Sequence, residues 1–325
     1  MLYQPSGKLS LIDEENYENH MQNLVNELDT YCNKGFFESF DNAKIYYEYF
    51  LVENPKASIV MVHGYTEFLK KYYEIGSYFM NMGYNIFLYD QRGHGYSHRD
   101  VEDFQVTHVD KYEDYAYDLQ CFMDKIVKPN SEGIPVNIYS HSMGGAVASL
   151  YLAQTGDKIE KTVLSAPLVY PVCMKIPGRV LRFLIKGDVK KNGWKARLKY
   201  SSDFKPNAKS ENSGDESEAR FFYNLNMRIN EPRYQNSCSS NRWNYETLGV
   251  RYKLLNKKTT EKMNSQILLI SAENDNSVKV KPQQKLAKLL GCEYVMIKGA
   301  RHCLFTRKDE NLETYIRKLV DFYEK

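Results

Sequence analysis

A serine in a predicted strand–turn–helix is the residue of this chain best suited to act as a nucleophile. Residues 136–139 form a short apolar run that predicts a strand, and the turn after it contains Ser142. Apolar side chains then recur at helical spacing as far as Gly156, which predicts a helix that begins beside the serine. Because a helix N-terminus has free N–H groups and the positive end of the helix dipole, it favours the negative charge that develops when a hydroxyl attacks a carbonyl.

The motif around this serine departs from the nucleophile elbow, Gly-x-Ser-x-Gly, at one position. Ser140 stands where the elbow has its first glycine, and Gly144 stands where it has its second. We expect a small residue such as serine to fit there. The other interpretation is an ordinary turn between a strand and a helix, in which Ser-x-Gly-Gly is common, so the turn by itself leaves catalysis open.

A serine hydroxyl needs a general base, usually a histidine that is held by a carboxylate. After an elbow serine, the acid and then the histidine follow later in the chain, on loops after successive strands. The sequence supplies this order, because Asp275 follows a predicted strand at 266–272 and His302 follows a predicted strand at 293–298. His302 is the one histidine of seven that lies in the loop after the last predicted strand. Glu273 is the alternative acid, since predicted strand ends shift by about two residues.

The oxyanion that forms during such an attack needs two N–H donors. The expected donors are the backbone N–H of Met143, directly after the serine, and the backbone N–H of Tyr65, directly after His63-Gly64. The side chain of Tyr65 has no part in this hydrogen bond. His63-Gly64 is also what an ordinary tight turn after a strand would contain.

Strands that alternate with helices must position these residues, and this alternation predicts an α/β fold with a mainly parallel sheet. A hairpin is predicted at residues 35–51, and further strands are predicted at residues 58–62, 84–89, 136–139, 161–165, 266–272 and 293–298. Helices are predicted at about residues 68–83, 110–127, 282–290 and 312–323, and residues 1–35 are polar and capable of forming a helix. Residues 1–166 and 265–325 are therefore expected to form the two parts of one sheet domain.

The alternation stops after residue 166. Residues 167–264 are polar, basic and irregular in pattern, and residues 210–218 predict an exposed loop. Because about a hundred residues is long for a loop, we interpret this segment as a cap over the sheet domain.

The start of the predicted cap, residues 174–199, contains nine lysines and arginines against one acid, with apolar residues at helical spacing. A basic amphipathic helix can lie on an anionic membrane surface or bind an anionic headgroup. The plainer interpretation is a helix whose apolar side packs on the protein and whose lysines lie in water. The two interpretations are compatible, so peripheral contact with an anionic membrane stays a hypothesis.

The composition excludes several classes of protein. The chain has 325 residues, of which 42% are hydrophobic, which is enough to bury a sizeable core. Its formal net charge of +3 is too small to indicate a nucleic-acid partner. Six cysteines without Cys-x-x-Cys spacing indicate reduced thiols rather than a metal site or a disulfide framework.

The first thirty residues are acidic and lack an apolar region, so we expect no signal peptide. The longest apolar runs have the length of strands and are too short to span a bilayer. The sequence therefore predicts a soluble, cytoplasmic protein, peripheral to the membrane at most.

Four motifs make the chain similar to the lysophospholipase and monoacylglycerol-lipase branch of the α/β-hydrolases, also called the serine aminopeptidase S33 or hydrolase-4 family. They are Val-His-Gly at residues 62–64, Asp-Gln-Arg-Gly-His-Gly-Tyr-Ser at 90–97, His-Ser-Met-Gly-Gly at 141–145 and Gly-Ala-Arg-His at 299–302. The second motif is highly specific to this branch, and the last resembles the bacterial L2 lysophospholipases most. The resemblance covers residues 35–323 and is weakest in residues 167–264.

This resemblance implies an α/β-hydrolase fold with an inserted, mainly helical cap, and it implies neither a cofactor nor a metal. The implied reaction is hydrolysis of a fatty acyl ester of a single-chain lipid, a lysophospholipid or a monoacylglycerol. The resemblance implies that Ser142 is the nucleophile, Asp275 the acid and His302 the base. It also implies that the backbone N–H groups of Tyr65 and Met143 are the oxyanion donors. Residues 90–97 would form a structural turn in which Arg92 is buried and paired.

Three other functions share parts of this pattern. A proline-iminopeptidase-like amidase needs an acidic pocket for a free amino terminus, and the basic cap argues against it. A non-catalytic binding protein with this fold would usually have lost one of the three reactive residues, and all three are present. An acyltransferase would share every motif, so the sequence does not separate it from a hydrolase.

Overall fold

The computed structural model describes residues 1–172, 176–199 and 201–325. Met174 and Lys175, the first two residues of the basic segment 174–199, therefore lie outside the described residues. Across the described part of the chain, every helix is too short or too polar to cross a membrane.

Within the described residues, eight strands form one mixed sheet. Their order across the sheet is β1 (Asn33–Glu38), β2 (Lys44–Phe50), β4 (Tyr84–Tyr89), β3 (Ala57–Val62), β6 (Val136–His141), β7 (Lys161–Ser165), β9 (Gln266–Ala272) and β10 (Glu293–Ile297). β2 pairs in antiparallel fashion with β1 and β4, and the other pairings in this sheet are parallel. The short strands β5 (Val106–Thr107) and β8 (Cys238–Ser239) pair in parallel outside this sheet. The predicted hairpin and the mainly parallel sheet are confirmed.

The helices connect the strands, and those outside residues 167–264 lie where the sequence predicts them. They are α1 (Tyr17–Tyr31), α2 (Tyr73–Asn81), α3 (Glu113–Phe122), α4 (Met143–Thr155), α5 (Gly178–Asn192), α6 (Glu218–Asn230), α7 (Asn241–Leu254), α8 (Lys257–Thr260), α9 (Val280–Leu290) and α10 (Asp309–Glu324). A π-helical turn at Met123–Val127 extends α3. Gly156 ends α4 in the left-handed conformation, with a φ of 63°, as a helix C-terminus favours.

Helices cover both faces of the sheet, so its central strands are buried on both sides. Every residue of β3 and β4 is buried, which explains why these strands form continuous apolar runs in the sequence. On one face the core includes Leu119 of α3 and Val147 of α4, and on the other it includes Phe79 of α2 and Leu319 of α10. This packing fixes the ends of the strands, from which the loops of the site begin.

Between β7 and β9 the chain leaves the sheet and forms α5 to α8. Residues 167–264, whose sequence pattern is irregular, therefore contain four helices in the part that the structure describes, in agreement with the helical character that the family resemblance implies. Two residues of α6 and six residues of α7 are buried. Their caps were visible in the sequence, since the Ser217 and Ser240 hydroxyls accept backbone N–H groups at the starts of α6 and α7.

The loop at residues 210–218 is exposed only in part, because it packs against the loop that follows β10. Asp215 is buried and accepts a hydrogen bond from the Thr306 hydroxyl at 2.6 Å, and the Gly214 carbonyl accepts from the Cys303 N–H at 3.0 Å. These buried polar groups form hydrogen bonds within the protein, which offsets the free-energy cost of removing them from water. Sequence polarity alone does not reveal such pairing.

Candidate active site

Ser142 occupies a strained turn between β6 and α4. Its φ is 52° and its ψ is −116°, a conformation that residues other than glycine rarely adopt. The Ser142 N–H donates to the Ser165 carbonyl at 3.0 Å, and the Ser142 carbonyl accepts from the Leu168 N–H at 2.7 Å. Backbone strain that is held by such hydrogen bonds is typical of functional residues.

The absence of a side chain at Gly144 lets the helix approach the sheet at this turn. A Cβ there would lie 2.1 Å from the Val62 carbonyl oxygen. Ser140, which departs from the elbow motif, is accommodated because its hydroxyl donates to the Val163 carbonyl of the neighbouring strand at 2.8 Å. Since that buried hydroxyl is satisfied within the sheet, the serine leaves the geometry of the elbow intact.

The fold brings Ser142, His302 and Asp275 together, although they are far apart in the chain. The Nε2 atom of His302 lies 2.9 Å from the Ser142 Oγ, and its Nδ1 atom lies 2.7 Å from the Asp275 Oδ2. If Nδ1–H donates to the carboxylate, Nε2 is the acceptor for the hydroxyl proton. The side chain of Asp275 is fully buried and that of His302 is 8% exposed, so water competes little for these bonds. This arrangement can remove the hydroxyl proton as the oxygen attacks a carbonyl.

The loop after β9 presents Asp275, and not Glu273, to the histidine. The second oxygen of Asp275, Oδ1, accepts the backbone N–H groups of Ser277 at 2.8 Å and Val278 at 2.9 Å, which orients the carboxylate. Glu273 instead accepts the Gly299 N–H at 2.9 Å and so links the loops after β9 and β10. Of the two acids predicted from the sequence, Asp275 is the one in contact with His302.

The backbone N–H groups of Tyr65 and Met143 have no hydrogen-bond acceptor among the described residues. Tyr65 lines the same cavity as Ser142, and its ring stacks on Trp243 with the ring centroids 4.4 Å apart. Thr66, the next residue, has a φ of 61°, which is a rare conformation for a β-branched residue. Both N–H groups are therefore available for a developing oxyanion.

Glu67 is a buried residue of this site that sequence reasoning missed. Its carboxylate accepts the Gly64 N–H and the Tyr72 hydroxyl, both at 2.6 Å, and the Lys71 Nζ lies 3.0 Å away. It also lies 3.2 Å from Nδ1 of His141, the residue before the serine. The signal in the sequence was an acid three residues after the glycine, in a loop directly after a buried strand.

Glu67 is buried, Lys71 is only slightly exposed, and each stabilises the charge of the other. Burial by itself would raise the pKa of Glu67, but Lys71 and His141 hold this pKa well below its usual range. Burial would likewise lower the pKa of Lys71, but the carboxylates of Asp215 and Glu67 raise it. The lysine bridges these two carboxylates, with distances of 3.0 Å to Glu67 and 3.7 Å to Asp215. A compact ion cluster therefore supports the loop that carries Tyr65.

The turn at residues 90–97 supports the site from within the sheet domain. Asp90 accepts the Tyr96 N–H within this turn and the Leu69 N–H from the segment before α2, and a Cβ at Gly95 would lie 1.9 Å from its carboxylate. Arg92 is buried and donates to Asp118 at 2.7 Å and to Asp41 at 2.9 Å. The expectation of a structural turn with a buried, paired arginine is confirmed.

His94, in the 90–97 turn, and His63, which contacts this turn, are both buried, and neither contacts Ser142. The Nε2 atom of His63 accepts the Gln91 N–H at 2.9 Å, so its Nδ1–H donates to the Gly64 carbonyl at 2.8 Å. Burial lowers the pKa of His63 to about 4 and holds the pKa of His94 well below its usual value. Both imidazoles are therefore neutral braces of the fold.

A cavity of about 630 Å³ is lined by Ser142 and His302. Its larger apolar lining residues are Tyr65, Phe68, Leu168, Phe204, Phe221, Leu225, Trp243 and Val278. Its charged lining residues are Glu67, Lys71, Asp203, Lys205, Asp215 and Arg228. In the ranges that the structure describes, no group of three or more His, Cys, Asp or Glu side chains is arranged to hold a metal ion.

Comparisons with known proteins show which family the chain resembles. Residues 53–309 match the model of the family described as serine aminopeptidase, S33 (Hydrolase_4). The chain is 26% identical to the probable lysophospholipase L2 of Haemophilus influenzae over 313 residues, which cover 89% of this chain and 93% of that protein. It is 34% identical to human monoglyceride lipase over 118 residues, which cover 35% of this chain and 36% of that protein.

A solved structure shows the same fold. It is a soluble variant of monoglyceride lipase from Saccharomyces cerevisiae in complex with a substrate analog, and it superposes with a TM-score of 0.71 at 20% identity. The alignment covers 90% of this chain and 94% of that chain. The predicted α/β-hydrolase fold and the family resemblance drawn from four short motifs are both confirmed. The chain belongs to the serine aminopeptidase S33 family of α/β-hydrolases.

Proposed function

We propose that this protein is a serine hydrolase that cleaves a fatty acyl ester of a single-chain lipid, a lysophospholipid or a monoacylglycerol. The observation that carries the proposal is the position of His302, 2.9 Å from the Ser142 hydroxyl and 2.7 Å from the Asp275 carboxylate. Relatives named lysophospholipase and monoglyceride lipase support an ester substrate. The nucleophile, base and oxyanion donors all come from the chain, so the proposed reaction uses no cofactor.

In this mechanism the Ser142 oxygen attacks the acyl carbonyl while His302 Nε2 takes its proton. The carbonyl oxygen becomes an oxyanion, which accepts the backbone N–H groups of Tyr65 and Met143. His302 then gives the proton to the leaving alcohol, and the acyl group remains on the serine. A water molecule, deprotonated by the same histidine, releases the fatty acid and restores the serine.

The cavity supports a substrate with one acyl chain. Apolar and aromatic side chains such as Phe68, Leu225 and Trp243 line it, and its volume of about 630 Å³ is in the usual range for a small-molecule site. Most of its wall comes from residues 167–264, which lie between β7 and β9. We therefore assign these residues as a cap that covers the site, with residues 1–166 and 265–325 as the sheet domain.

The cap also supports contact with an anionic membrane surface. Leu181 and Ile185 of α5 pack inward against Leu248, as the plainer interpretation of the sequence required. Phe183 and Leu184, by contrast, are 75% and 52% exposed. The same helix carries four exposed basic side chains, namely Arg179, Lys186, Lys190 and Lys191. Exposed apolar residues between lysines and arginines are what an interfacial helix presents to anionic lipid.

Vesicle sedimentation tests this contact, with vesicles that contain or lack phosphatidylglycerol. Changing Lys186, Lys190 and Lys191 to glutamate should lower binding to the anionic vesicles by roughly tenfold or more. The matched control makes the same charge reversal on α9, at the exposed Lys281, Lys285 and Lys288. Unchanged binding of the α5 variant, or an equal loss in the control, would contradict the proposal.

The proposed location is the cytoplasm. The five cysteines that the structure describes are free thiols, which fits a reducing compartment. Fractionation of cells that express the protein, at low and high salt, tests this location together with the proposed membrane contact. Recovery in an oxidising compartment would contradict it.

Hydrolysis of a short p-nitrophenyl ester beside a lysophospholipid and a monoacylglycerol, by the wild type and Ser142→Ala, tests the proposed function. Activity on the short ester and on a lipid, lost in the variant, is the expected result. Activity on the short ester alone would keep Ser142 as the nucleophile and redirect the search for the substrate. A wild type inactive on all three would favour a non-catalytic binding protein.

The alternative of a proline-iminopeptidase-like amidase is not favoured. A free amino terminus would need a carboxylate without a cation of its own. Among the described residues that line the cavity, Glu67 and Asp215 pair with Lys71, and Asp203 pairs with Arg197 at 2.6 Å. Each acid among the described lining residues of the cavity therefore already has a cation within ion-pair distance.

A further inference from the structure

Arg228 is a cation that lines the cavity and has no carboxylate partner within ion-pair distance among the described residues. It lies on α6, and its Nε donates to the Tyr234 carbonyl at 3.1 Å while one terminal nitrogen, Nη2, donates to the Asn236 carbonyl at 2.6 Å. Its guanidinium also lies 4.7 Å from the centre of the Phe204 ring. These contacts orient the group and leave the other terminal nitrogen, Nη1, without an acceptor among the described residues.

The other charges in the cavity wall differ from Arg228 in their partners or in their exposure. Lys71 lies between the carboxylates of Glu67 and Asp215, and Asp203 is paired with Arg197, so each of these groups has an opposite charge within ion-pair distance. Lys205, near Phe204 in the chain, is exposed. Burial lowers the pKa of Arg228 to about 10, so its guanidinium is still protonated at neutral pH. Arg228 is therefore a charged group that is partly removed from water and, among the described residues, has no carboxylate within ion-pair distance.

The helix that carries Arg228 is anchored to the sheet domain. Arg220, two turns earlier on α6, is fully buried and contacts Glu74 at 2.8 Å and Asp309 at 2.9 Å. The position of Arg228 in the cavity is thus set before any ligand arrives. A preorganised guanidinium loses little entropy when it binds an anion, and its planar fork matches the oxygens of a phosphate.

We propose that Arg228 binds the phosphodiester of a lysophospholipid headgroup and so sets a preference for lysophospholipids over neutral monoacylglycerols. This assignment rests on the proposed function, because it names the substrate of the same site. A phosphate supplies the missing counter-charge and accepts from the free terminal nitrogen. A glycerol headgroup offers only hydroxyls, which form weaker hydrogen bonds with a guanidinium.

The experiment compares kcat/KM for a lysophospholipid and a monoacylglycerol of the same acyl chain, both below their aggregation concentrations. For Arg228→Gln, the ratio of the two values should fall on the order of 10- to 100-fold relative to the wild type. Arg228→Lys, which keeps the charge without the fork, should give an intermediate ratio. Because both substrates are measured on one preparation, a partly unfolded variant lowers both values and leaves their ratio unchanged. Arg233→Gln, at an exposed arginine of the cap, is the matched control.

An unchanged ratio in Arg228→Gln would overturn the proposal, as would a wild type that cleaves only the monoacylglycerol. Inorganic phosphate distinguishes a headgroup from a free anion: inhibition that Arg228→Gln abolishes, with an unchanged substrate ratio, would assign the site to free phosphate instead. A wild type that cleaves no ester at all would mean that the proposed function has failed. Binding of the lysophospholipid to Ser142→Ala, with and without Arg228→Gln, then still tests the headgroup contact by itself.

Discussion

The Glu67 carboxylate joins the Gly64 N–H, at 2.6 Å, to the His141 ring, at 3.2 Å. Gly64 directly precedes Tyr65, whose N–H we propose as an oxyanion donor, and His141 directly precedes Ser142. A Cβ at Gly64 would lie 2.7 Å from the Glu67 Oε2, so the close contact depends on the glycine. One buried anion thus holds together the two loops on which the proposed chemistry depends.

Glu67→Gln should therefore lower kcat for a short ester by roughly 10- to 100-fold and change KM less. The amide has one acceptor oxygen and cannot serve Gly64, Tyr72 and Lys71 as the carboxylate does, so the loop with Tyr65 moves out of position. Loss of an oxyanion donor itself typically costs about 100- to 1000-fold. Glu53→Gln, the same change at an exposed position, is the control. A loss confined to KM would contradict the positioning role.

The two acids after β9 should differ sharply when each is changed to its amide. Asp275→Asn removes the charge that holds His302 and is expected to lower kcat by about 1,000- to 10,000-fold. Glu273→Gln is the matched control, because Glu273 contacts the Gly299 N–H and not the histidine. Steady-state kinetics on a short ester, with both variants folded, show which of the two acids holds His302. Similar losses of kcat in both variants would contradict the assignment of Asp275 as the acid.

The framework of the site could be predicted because its residues follow short strands with apolar sequences. β6, β9 and β10 are strands of this kind, and parallel strands bring the loops at their carboxyl ends to one edge of the sheet. Ser142 and His302 followed from this order. The choice between Asp275 and Glu273 needed coordinates, since the two residues are only two positions apart and a distance to His302 separates them.

Other parts of the site could not be predicted, because their meaning depends on contacts between distant residues. Glu67 appears in the sequence as an ordinary acid near a glycine, and only its hydrogen bonds in the structure show that it bridges two loops. The helix α6 buries only Arg220 and Leu225, so its apolar pattern is weak. Arg228 can be distinguished from the other charged residues of the cavity only when the ion-pair partners of those residues are known.

Gly144→Ala should destabilise the fold by at least about 3 kcal/mol, because the new Cβ would lie 2.1 Å from a backbone carbonyl that cannot move away cheaply. Gly187→Ala is the contrasting variant, since it lies in α5 with nothing within 4 Å of a new Cβ. We expect it to stabilise by about 0.5 to 1 kcal/mol through helix propensity. Urea unfolding measures both changes. A Gly144→Ala protein as stable as the wild type would contradict the close approach of α4 to the Val62 carbonyl of β3.

Two buried histidines should make the fold sensitive to acid. Burial lowers the pKa of His63 to about 4 and the pKa of His94 well below its usual value, whereas a histidine in the unfolded chain has a pKa of about 6.5. The unfolded chain therefore binds more protons between these values. The stability that the neutral histidines contribute is complete above about pH 6.5 and is lost as the pH falls toward about 4.

Asp90 opposes part of this loss, because burial raises its pKa to about 6 and the folded chain is stabilised when that carboxyl takes up its proton. Between pH 7 and pH 5 we expect a net fall of roughly 2 to 3 kcal/mol in the free energy of unfolding, measured by urea titration at each pH. His94→Gln should make this dependence shallower, and His20→Gln, at an exposed position on α1, should leave it unchanged. A free energy of unfolding that stays constant or rises on acidification would show that the buried histidines are not the dominant titrating groups.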